Sequence, residues 1–448
     1  MKHFISILIA LATSLVLSTW IVNGIQAQTN WEKYPGNPVL DVGPQPWDST
    51  WVFIPELYFD GAIYRMWYEG YNESTPQLGY ATSVDRTAWT KLNNPVLSGG
   101  SPGSWDEAVV GGSIIYDETT YHMWYRGDDG SNNRIGYATS LDGVIWGKAD
   151  SVNPVLDIGL PGSWDDLWVI DPKVIFDGTT YQMWYMGWDG NIPRIGYATS
   201  PDGINWTKYD DPSTVDPPFA ESDPVMSPGD PEMWDAASVT APCVIYNGTN
   251  YQMWYEGGDS LNPGLPWPWT SRIGYATSSD GITWAKADNV NPVLEEGPFG
   301  TWDGIGVGSP DAIYDGTTYH MYYQGSGWDG TFRYRIGYAT DSSLVGMGDD
   351  VSDELPRKYY LQQNYPNPFN PTTTIKYDLP KSTKVVLKIY NILGEEVTTL
   401  SNENQSAGYK SVLWDGRDRT GRQVSSGIYI YRLEAGDYVK SRKMVFLK

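Results

Sequence analysis

A five-fold internal repeat constrains the fold of this chain more than any other feature of its sequence. One copy contains, in order, a Trp-Asp pair, an apolar run that ends at a turn, a run close to Tyr-x-Met-Trp-Tyr, and Gly-Tyr-Ala-Thr. The Trp-Asp pairs open the copies, which we number units one to five, at Trp47, Trp105, Trp164, Trp234 and Trp302. The spacings between them are 58, 59, 70 and 68 residues. Such self-similarity predicts a series of equivalent modules.

Each unit is predicted to be an antiparallel meander of four short strands. Pairs such as Asp177-Gly178 fit hairpin turns because Asp, Asn and Gly tolerate positive φ. In the second strand of unit three, Tyr181 and Met183 lie on one face and Trp184 on the other, so both faces must be covered. Radial packing of five equivalent sheets covers both. The sequence therefore predicts an all-β fold with a five-bladed β-propeller over residues 31–345.

The two ends of the repeat complement each other. Unit five has no fourth strand after Thr340, whereas the chain has an unmatched segment, Trp31–Lys33, that resembles the fourth strand Trp206–Lys208 of unit three. We predict that Trp31–Lys33 pairs with Gly337–Thr340. This pairing would close the ring of blades and remove exposed sheet edges.

The first residues fit an export signal. Lys2 and His3 precede an apolar run from Phe4 to Leu17, and Ala27 offers a small side chain at a cleavage position. An anchoring transmembrane helix is the alternative, but the apolar run is short for one. We therefore predict a signal peptide over residues 1–27 and an exported, extracellular or cell-surface protein.

Charge and cysteine content limit the partners. The net charge is −24, although residues 355–448 carry 15 Lys and Arg against 8 Asp and Glu. An acidic body repels phosphate backbones and anionic lipids, so we expect no nucleic-acid partner and favour a neutral ligand. A single cysteine, Cys243, leaves no intramolecular disulfide partner, and we expect a monomer with a buried thiol.

A separate small β-sandwich is predicted after a polar linker over residues 346–356. Residues 357–448 contain Pro366-Asn367-Pro368-Phe369-Asn370-Pro371, Asn391–Gly394, Trp414-Asp415-Gly416 and a basic end. These motifs closely resemble the type A sorting domain of type IX secretion. The resemblance implies an immunoglobulin-like fold, recognition by the type IX machinery, and release or attachment at the cell surface. An ordinary immunoglobulin-like stalk is the alternative.

The repeat, over residues 31–340, resembles the five-bladed propellers of glycoside hydrolase families 32, 43, 62, 68 and 130. The resemblance implies a carbohydrate-active protein whose partner is a neutral oligosaccharide or polysaccharide. Hydrolases of these families hold carboxylates at the channel mouth, typically with Asp-Pro at the start of an innermost strand and a Glu as general acid. Glycoside hydrolysis needs one acid to protonate the leaving oxygen and one carboxylate to activate water or attack carbon.

Only unit three has Asp-Pro at the aligned position, as Asp171-Pro172. We take Asp171 as the base or transition-state partner, kept ionised by Lys173, and Glu56 or Glu256 as the proton donor. The family's full set of three carboxylates is not found at the aligned positions. A propeller that binds glycans or surface partners without catalysis is therefore the alternative to a glycosidase.

Other candidates are expected on the same rim. Glu69 and Glu256 follow the second strands, with Arg126 as a counterpart, and the two-residue period of strands predicts that Glu56 and Asp311 point the same way as Asp171. The Asp of each Trp-Asp pair occurs in every unit and is therefore architectural.

Exposed indoles beside carboxylates suit sugars, whose C–H faces stack on aromatic rings. The predicted substrate-binding residues are Trp188, Trp267, Trp269, Trp328, Arg126 and Asp311. We predict no cofactor and no metal site; an acidic channel could accept calcium, but no ligand motif marks one.

Overall fold

The structure, a computed structural model, describes residues 30–259, 270–315, 317–341, 359–361, 364, 369 and 371–447. Their regular structure is β-strand apart from a short 3₁₀ helix at Pro46–Asp48. The predicted signal peptide, the linker, and the loop with Trp267 and Trp269 lie outside these residues. Within them, no helix has the length and apolarity needed to cross a membrane.

Within each repeat unit the strands pair antiparallel, and the strands of units two and three are joined in one nine-stranded sheet by a parallel contact of Trp168 with Asn133. The chain starts with β1 (Glu32–Lys33). The strands of units one to three are β2 (Trp51–Phe59), β3 (Tyr64–Tyr71), β4 (Gln77–Ser83), β5 (Thr90–Lys91), β6 (Ala108–Tyr116), β7 (Tyr121–Asp128), β8 (Asn133–Ser140), β9 (Gly147–Lys148), β10 (Trp168–Phe176), β11 (Tyr181–Trp188), β12 (Arg194–Ser200) and β13 (Thr207–Lys208). After β14 (Pro224–Met226), units four and five contain β15 (Ser238–Tyr246), β16 (Tyr251–Asp259), β17 (Thr270–Ser278), β18 (Ala285–Lys286), β19 (Gly306–Tyr314), β20 (Tyr319–Trp328) and β21 (Phe332–Asp341).

The predicted pairing of the two ends of the repeat is confirmed. Strand β1 runs antiparallel to β21, with Glu32 opposite Thr340 and Lys33 opposite Ala339. The sheet of unit five therefore has the order β1-β21-β20-β19, and its fourth strand comes from the start of the chain.

The Trp-Asp pair anchors each unit, as expected for an architectural element. In unit three, Trp164 packs over Gly187 and Gly196, where a Cβ atom would come within 2.3 and 2.8 Å of the indole. Asp165 accepts hydrogen bonds from the Tyr185 hydroxyl at 3.3 Å and from Lys208 Nζ at 2.6 Å. In unit five, Lys33 on β1 makes the equivalent 2.6 Å contact with Asp303. The N-terminal strand thus reproduces the contact that a fourth strand makes elsewhere.

Neighbouring units are joined by a repeated hydrogen bond. The indole Nε1 of Trp67, Trp124 and Trp184 donates to the carbonyl oxygen of a turn glycine in the next unit, at 2.7 to 2.8 Å. In unit five the corresponding side chain is Tyr322, whose hydroxyl donates to the Arg86 carbonyl oxygen of unit one at 2.9 Å. A hydrogen bond from the same strand position therefore also links unit five to unit one.

The C-terminal residues form a second all-β domain with its own core. Its strands are β22 (Tyr360–Leu361), β23 (Thr373–Leu379), β24 (Thr383–Asn391), β25 (Glu396–Gln405), β26 (Gly408–Trp414), β27 (Gly427–Ala435) and β28 (Tyr438–Phe446). They make two sheets, β22-β23-β26 and β25-β24-β27-β28. Burial alternates along β23 and β24, so one face of each sheet is apolar and packs on the other around Trp414 and Tyr431.

Candidate active site

The first strands of all five units line a central cavity of about 40 Å³. Each strand carries a bulge at the aligned position, and in four units the residue before proline there has positive φ: 48° at Ile54, 50° at Asp171, 46° at Ala241 and 43° at Ser309. Unit two has Gly111 instead. Because four units share this positive φ, the conformation is a general feature of the fold and does not mark a functional residue. The carboxylate of Asp171 is what distinguishes unit three from the others.

The bulge divides the polar residues of the channel into two groups. A bulge interrupts the two-residue alternation of a strand. Residues after the bulge form what we call the channel layer: Glu56, Ser113, Lys173, Cys243 and Asp311. Asp171, in the bulge, instead interacts with Arg126, Glu69 and Glu256 at what we call the mouth group. The predicted grouping of Glu56 and Asp311 with Asp171 stays a prediction: all three residues line the central cavity, although the bulge interrupts the alternation on which the prediction was based.

Lys173 is the centre of the channel layer. Its ammonium lies 3.0 Å from Glu56 Oε2 and 2.5 Å from Asp311 Oδ1. It therefore pairs with these two carboxylates, and the predicted pairing with Asp171 is corrected. The same ammonium supplies the positive charge that a calcium ion would bring to the channel, and among the described residues no group of three or more His, Cys, Asp or Glu could hold a metal ion.

The channel layer also joins the units. Backbone N–H groups donate to side chains of the preceding unit: Ile114 to Glu56 Oε1 at 2.9 Å, Val174 to Ser113 Oγ at 2.9 Å, Ala312 to Cys243 Sγ at 3.2 Å and Leu57 to Asp311 Oδ2 at 2.6 Å. Glu56 is 8% exposed and Asp311 2%. Burial, and then the charge of Asp311, raises the pKa of Glu56 to about 7 although Lys173 opposes this. These contacts give both acids a structural role.

Asp171 lies in the mouth group beside a different cation. Burial raises the pKa of its carboxyl above the usual value, and Arg126 opposes this shift. Arg126 is itself held by Asn133 Oδ1 at 2.6 Å and Asp128 Oδ2 at 3.3 Å. Asp171 and Arg126 were both predicted as site residues, and the structure brings them together.

Glu69 is the second carboxyl of the mouth group. It lies in the buried part of β3 and is 4% exposed. Burial raises its pKa to about 8, with Arg126 lowering it and the charge of Asp171 raising it further. Its Oε2 is buried without a hydrogen-bond partner in the described structure. A buried acid with a free oxygen and a proton at neutral pH is suited to proton donation.

Glu256 is the third carboxyl. Its Oε2 accepts the backbone N–H of Ser309 at 2.9 Å, and Ser271 also contacts it. Burial, and to a smaller extent the charge of Asp171, raises the pKa of Glu256 to about 7. Gly308 provides the space, because a Cβ atom there would come within 2.0 Å of Glu256 Oε2. The charge of Asp171 thus acts on Glu256, and the catalytic pairing of these two carboxyls stays a prediction.

Further polar atoms near the mouth are buried without partners in the described structure. They are the Trp188 indole Nε1, a donor, and Gln324 Oε1, an acceptor. Trp188 packs against Trp168 with ring centroids 4.2 Å apart. Trp328, also predicted as a binding residue, is 44% exposed at the end of β20. Donors and acceptors beside aromatic rings match the alternating hydroxyl and C–H faces of a sugar.

Sequence reasoning named Glu69 as a rim acid without including it in the catalytic set, and it did not select the aromatic residues Trp51, Phe53 and Tyr334. A signal for Glu69 was available, because it occupies in β3 the position of Glu256 in β16. The three aromatic residues come from two different units, and no local pattern places them together.

Comparisons with known proteins support the two-part organisation. The family model described as FlgD Ig-like domain matches residues 369–437. An uncharacterized protein of Mycobacterium tuberculosis (strain CDC 1551 / Oshkosh) is 27% identical over 320 residues, which cover 67% of this chain and 96% of that protein. The beta-1,2-mannobiose phosphorylase of Thermoanaerobacter sp. (strain X514) is 32% identical over 120 residues, covering 25% of this chain and 38% of the enzyme.

Solved structures show the same fold for the repeat region. A glycosyl hydrolase from Bacteroides ovatus has a TM-score of 0.54 at 19% identity, covering 70% of this chain and 93% of that one. A structure from family 130, described as mannoside phosphorylases that include glycoside hydrolases targeting β-1,2 mannosidic linkages in Candida mannan, has a TM-score of 0.55 at 20% identity and covers 71% and 95%. The chain thus combines a glycoside hydrolase-like β-propeller fold with an immunoglobulin-like domain near its C-terminus.

Proposed function

We propose that this protein is a carbohydrate-active enzyme that cleaves glycosidic bonds of neutral glycans at the mouth group. The observation that carries the proposal is the group of carboxyls at the mouth: Glu69 is buried with a free Oε2, and burial, together with the charge of Asp171, raises the pKa values of Glu69 and Glu256. Glycoside cleavage requires one carboxyl that keeps a proton and one that is ionised. Environments that separate the pKa values of neighbouring acids provide both forms.

The roles follow from the surroundings of each carboxyl. Asp171, beside Arg126, is assigned as the ionised carboxylate that activates the nucleophile or stabilises positive charge on the sugar. Glu69, with a pKa of about 8 and a free Oε2, is assigned as the proton donor. Glu256, whose pKa is about 7, is the alternative donor, although Ser309 occupies one of its oxygens. Glu56 leaves the catalytic set because Lys173 and Ile114 hold it in the channel layer.

Mannosides are the first substrate class to test, since named relatives are β-1,2-mannobiose and 1,2-β-oligomannan phosphorylases. Purified mature protein is assayed on β-1,2-mannobiose, β-1,2-mannotetraose, arabinan, xylan and fructan, each with and without inorganic phosphate. Product formation only with phosphate identifies phosphorolysis, and formation without it identifies hydrolysis. Asp171→Asn is the inactive reference, and Glu73→Gln, at an exposed loop acid, is the matched control. Equal activity of Asp171→Asn and wild type contradicts the proposal.

A propeller that binds glycans without cleaving them is the second candidate. It is favoured by the electrostatic effect of Arg126, which lowers the pKa values of both Asp171 and Glu69. Because both carboxyls are shifted in the same direction, Arg126 does not separate their pKa values as acid–base chemistry requires. Binding of an oligosaccharide by calorimetry, together with no product after prolonged incubation, would select this function.

We propose further that the five units close as a five-bladed ring through β1. Support comes from the contact of Lys33 with Asp303, which matches that of Lys208 with Asp165. Lys33→Met and Lys208→Met should each lower the free energy of unfolding by about 3 kcal/mol, since each leaves a buried aspartate without its cation. If Lys208→Met lowers the free energy of unfolding but Lys33→Met does not, closure by β1 is contradicted.

Export and sorting are proposed from the sequence motifs. We propose that residues 1–27 are a signal peptide and that residues 357–448, within which the FlgD Ig-like match lies, direct type IX secretion. Deleting residues 355–448 should leave the protein in the periplasm of a type IX host, as measured by cell fractionation. Normal surface delivery of the shortened chain would favour an ordinary immunoglobulin-like stalk.

A further inference from the structure

An aromatic cluster lies beside the mouth group where units five and one meet. Its members are Trp51, Phe53, Tyr71, Trp328, Phe332 and Tyr334. Trp51 stacks on Tyr71 with ring centroids 4.9 Å apart and meets Tyr334 edge-on at 5.5 Å. Phe53 also lies 5.5 Å from Tyr334. The rings therefore form one continuous surface that crosses the boundary between two units.

The hairpin of unit five extends this surface outward. Strands β20 and β21 have ten residues each, against eight each for β7 and β8 of unit two. The added length ends in the pair Trp328 and Phe332, whose ring centroids are 5.8 Å apart. Trp328 is 44% exposed, whereas Phe332 and Tyr334 are partly buried. The cluster thus runs from a partly buried inner end to an exposed outer end.

The inner end of the cluster adjoins two carboxyls of the mouth group. Phe53 is the cross-strand partner of Glu69. Tyr334 is close enough to Glu256 for that charge, together with burial, to raise the pKa of the phenol to about 12. By contrast, unit three has an aromatic pair at the positions of Trp51 and Tyr71, namely Trp168 and Trp188, but Ile170 at the position of Phe53. The cluster is therefore continuous with the proposed catalytic site.

We propose that this cluster is the binding platform for the sugar units of a neutral oligosaccharide that extend beyond the bond held at the mouth group. The inference rests on the proposed function and adds that the natural ligand is longer than a disaccharide. The C–H faces of sugars stack on aromatic rings, and a platform that begins at the carboxyls and ends in solvent fits an extended chain. A protein with a net charge of −24 disfavours an anionic glycan.

Chain-length dependence of binding tests the platform. Dissociation constants for β-1,2-mannobiose and β-1,2-mannotetraose are measured by calorimetry in full-length mature Asp171→Asn, which prevents turnover. Adding Trp51→Ala or Trp328→Ala should weaken tetraose binding by about 5- to 10-fold, as expected for the loss of one stacking contact, and change mannobiose binding by less than about 2-fold. Tyr314→Ala is the matched control, because Tyr314 is also 44% exposed but lies in the same unit at the end of the β19–β20 pair opposite to Trp328.

Each outcome supports or overturns a defined statement. If mannans do not bind, disaccharides and tetrasaccharides of xylan, arabinan and fructan are compared in the same way. The platform is overturned if the variants lose affinity equally for short and long ligands. It is also overturned if their loss of affinity is no larger than that of Tyr314→Ala. A selective loss with Trp168→Ala instead moves the platform to unit three and also overturns the inference. If the wild type turns over no glycan but the variants lose affinity selectively for the tetrasaccharide, the platform stands and the proposed enzymatic activity is rejected. If no oligosaccharide binds, both proposals are rejected.

Discussion

The channel layer and the mouth group are two sets of acids in one propeller, and they differ in how their charge is compensated. In the channel layer, Glu56 and Asp311 share the ammonium of Lys173 and accept backbone N–H groups from the next unit. In the mouth group, Arg126 lowers the pKa values of Asp171 and Glu69, whereas the hydrogen bond from the Ser309 backbone lowers that of Glu256. The comparison teaches that an acid with fixed partners stabilises a fold, whereas one with a raised pKa and a free oxygen is available for chemistry.

The largest effect should come from the mouth group. Asp171→Asn should reduce the turnover of the substrate found in the glycan screen by about 10³-fold, because the amide cannot act as a base or carry negative charge. The fold should persist, since asparagine tolerates the positive φ of 50° at this position. Steady-state kinetics and thermal unfolding of the same preparation check both statements. Retained turnover would remove Asp171 from the chemistry.

Removing the cation of the channel layer should lower the free energy of unfolding. Lys173→Met leaves two buried carboxylates without their cation and should lower the free energy of unfolding by about 3 to 5 kcal/mol. Tryptophan fluorescence during urea denaturation reports on the repeat units, because Trp414 is the single tryptophan after residue 328. The triple variant Lys173→Met, Glu56→Gln, Asp311→Asn is the control and should recover most of the loss. If it is as unstable as the single variant, packing of the lysine stem and not charge determines the effect.

The pH dependence of stability should separate the mouth group further. Below about pH 4.5, Glu69 is protonated in both the folded and the unfolded chain. Between about pH 4.5 and its folded pKa of about 8, Glu69 loses its proton in the unfolded chain but keeps it in the folded one. The free energy of unfolding should therefore fall as pH rises through this window. Glu69→Gln should make the fall smaller, with the contributions of Glu256 and Glu56 remaining. Urea denaturation at pH 5, 6.5 and 8 measures this, and an unchanged pH slope in Glu69→Gln would show that Glu69 is not buried as a neutral acid.

The smallest effect is expected from a neutral member of the channel layer. Ser113→Ala removes the acceptor of the Val174 N–H, a 2.9 Å hydrogen bond, and should cost about 1 to 2 kcal/mol of stability. Because Ser113 does not contact the mouth group, kcat on the substrate should stay within about 2-fold of wild type. A large loss of kcat without a loss of stability would mean that the two groups are coupled.

Much of the fold was predictable because it depends on local and repeated patterns. The Trp-Asp pairs, the turn glycines and the unmatched segment Trp31–Lys33 predict the strands and the pairing of β1 with β21, which the structure contains. Asp171 could be singled out because it alone among the aligned positions combines Asp with Pro. The C-terminal domain was expected to be an immunoglobulin-like sandwich, and the FlgD Ig-like match agrees.

Tertiary structure alone decided which acids work together. A strict two-residue period assigns Glu56 and Asp311 to the side of Asp171, but the bulge between Ile170 and Lys173 breaks that period. Lys173 consequently neutralises the channel layer, and Arg126 from unit two and Glu69 from unit one meet Asp171 from unit three. The aromatic cluster likewise joins Trp51 and Tyr334, which are 283 residues apart in the chain. Sequence periodicity fixes which residues face the inside of one strand, whereas charge pairing and ring contacts across units depend on how separate blades pack.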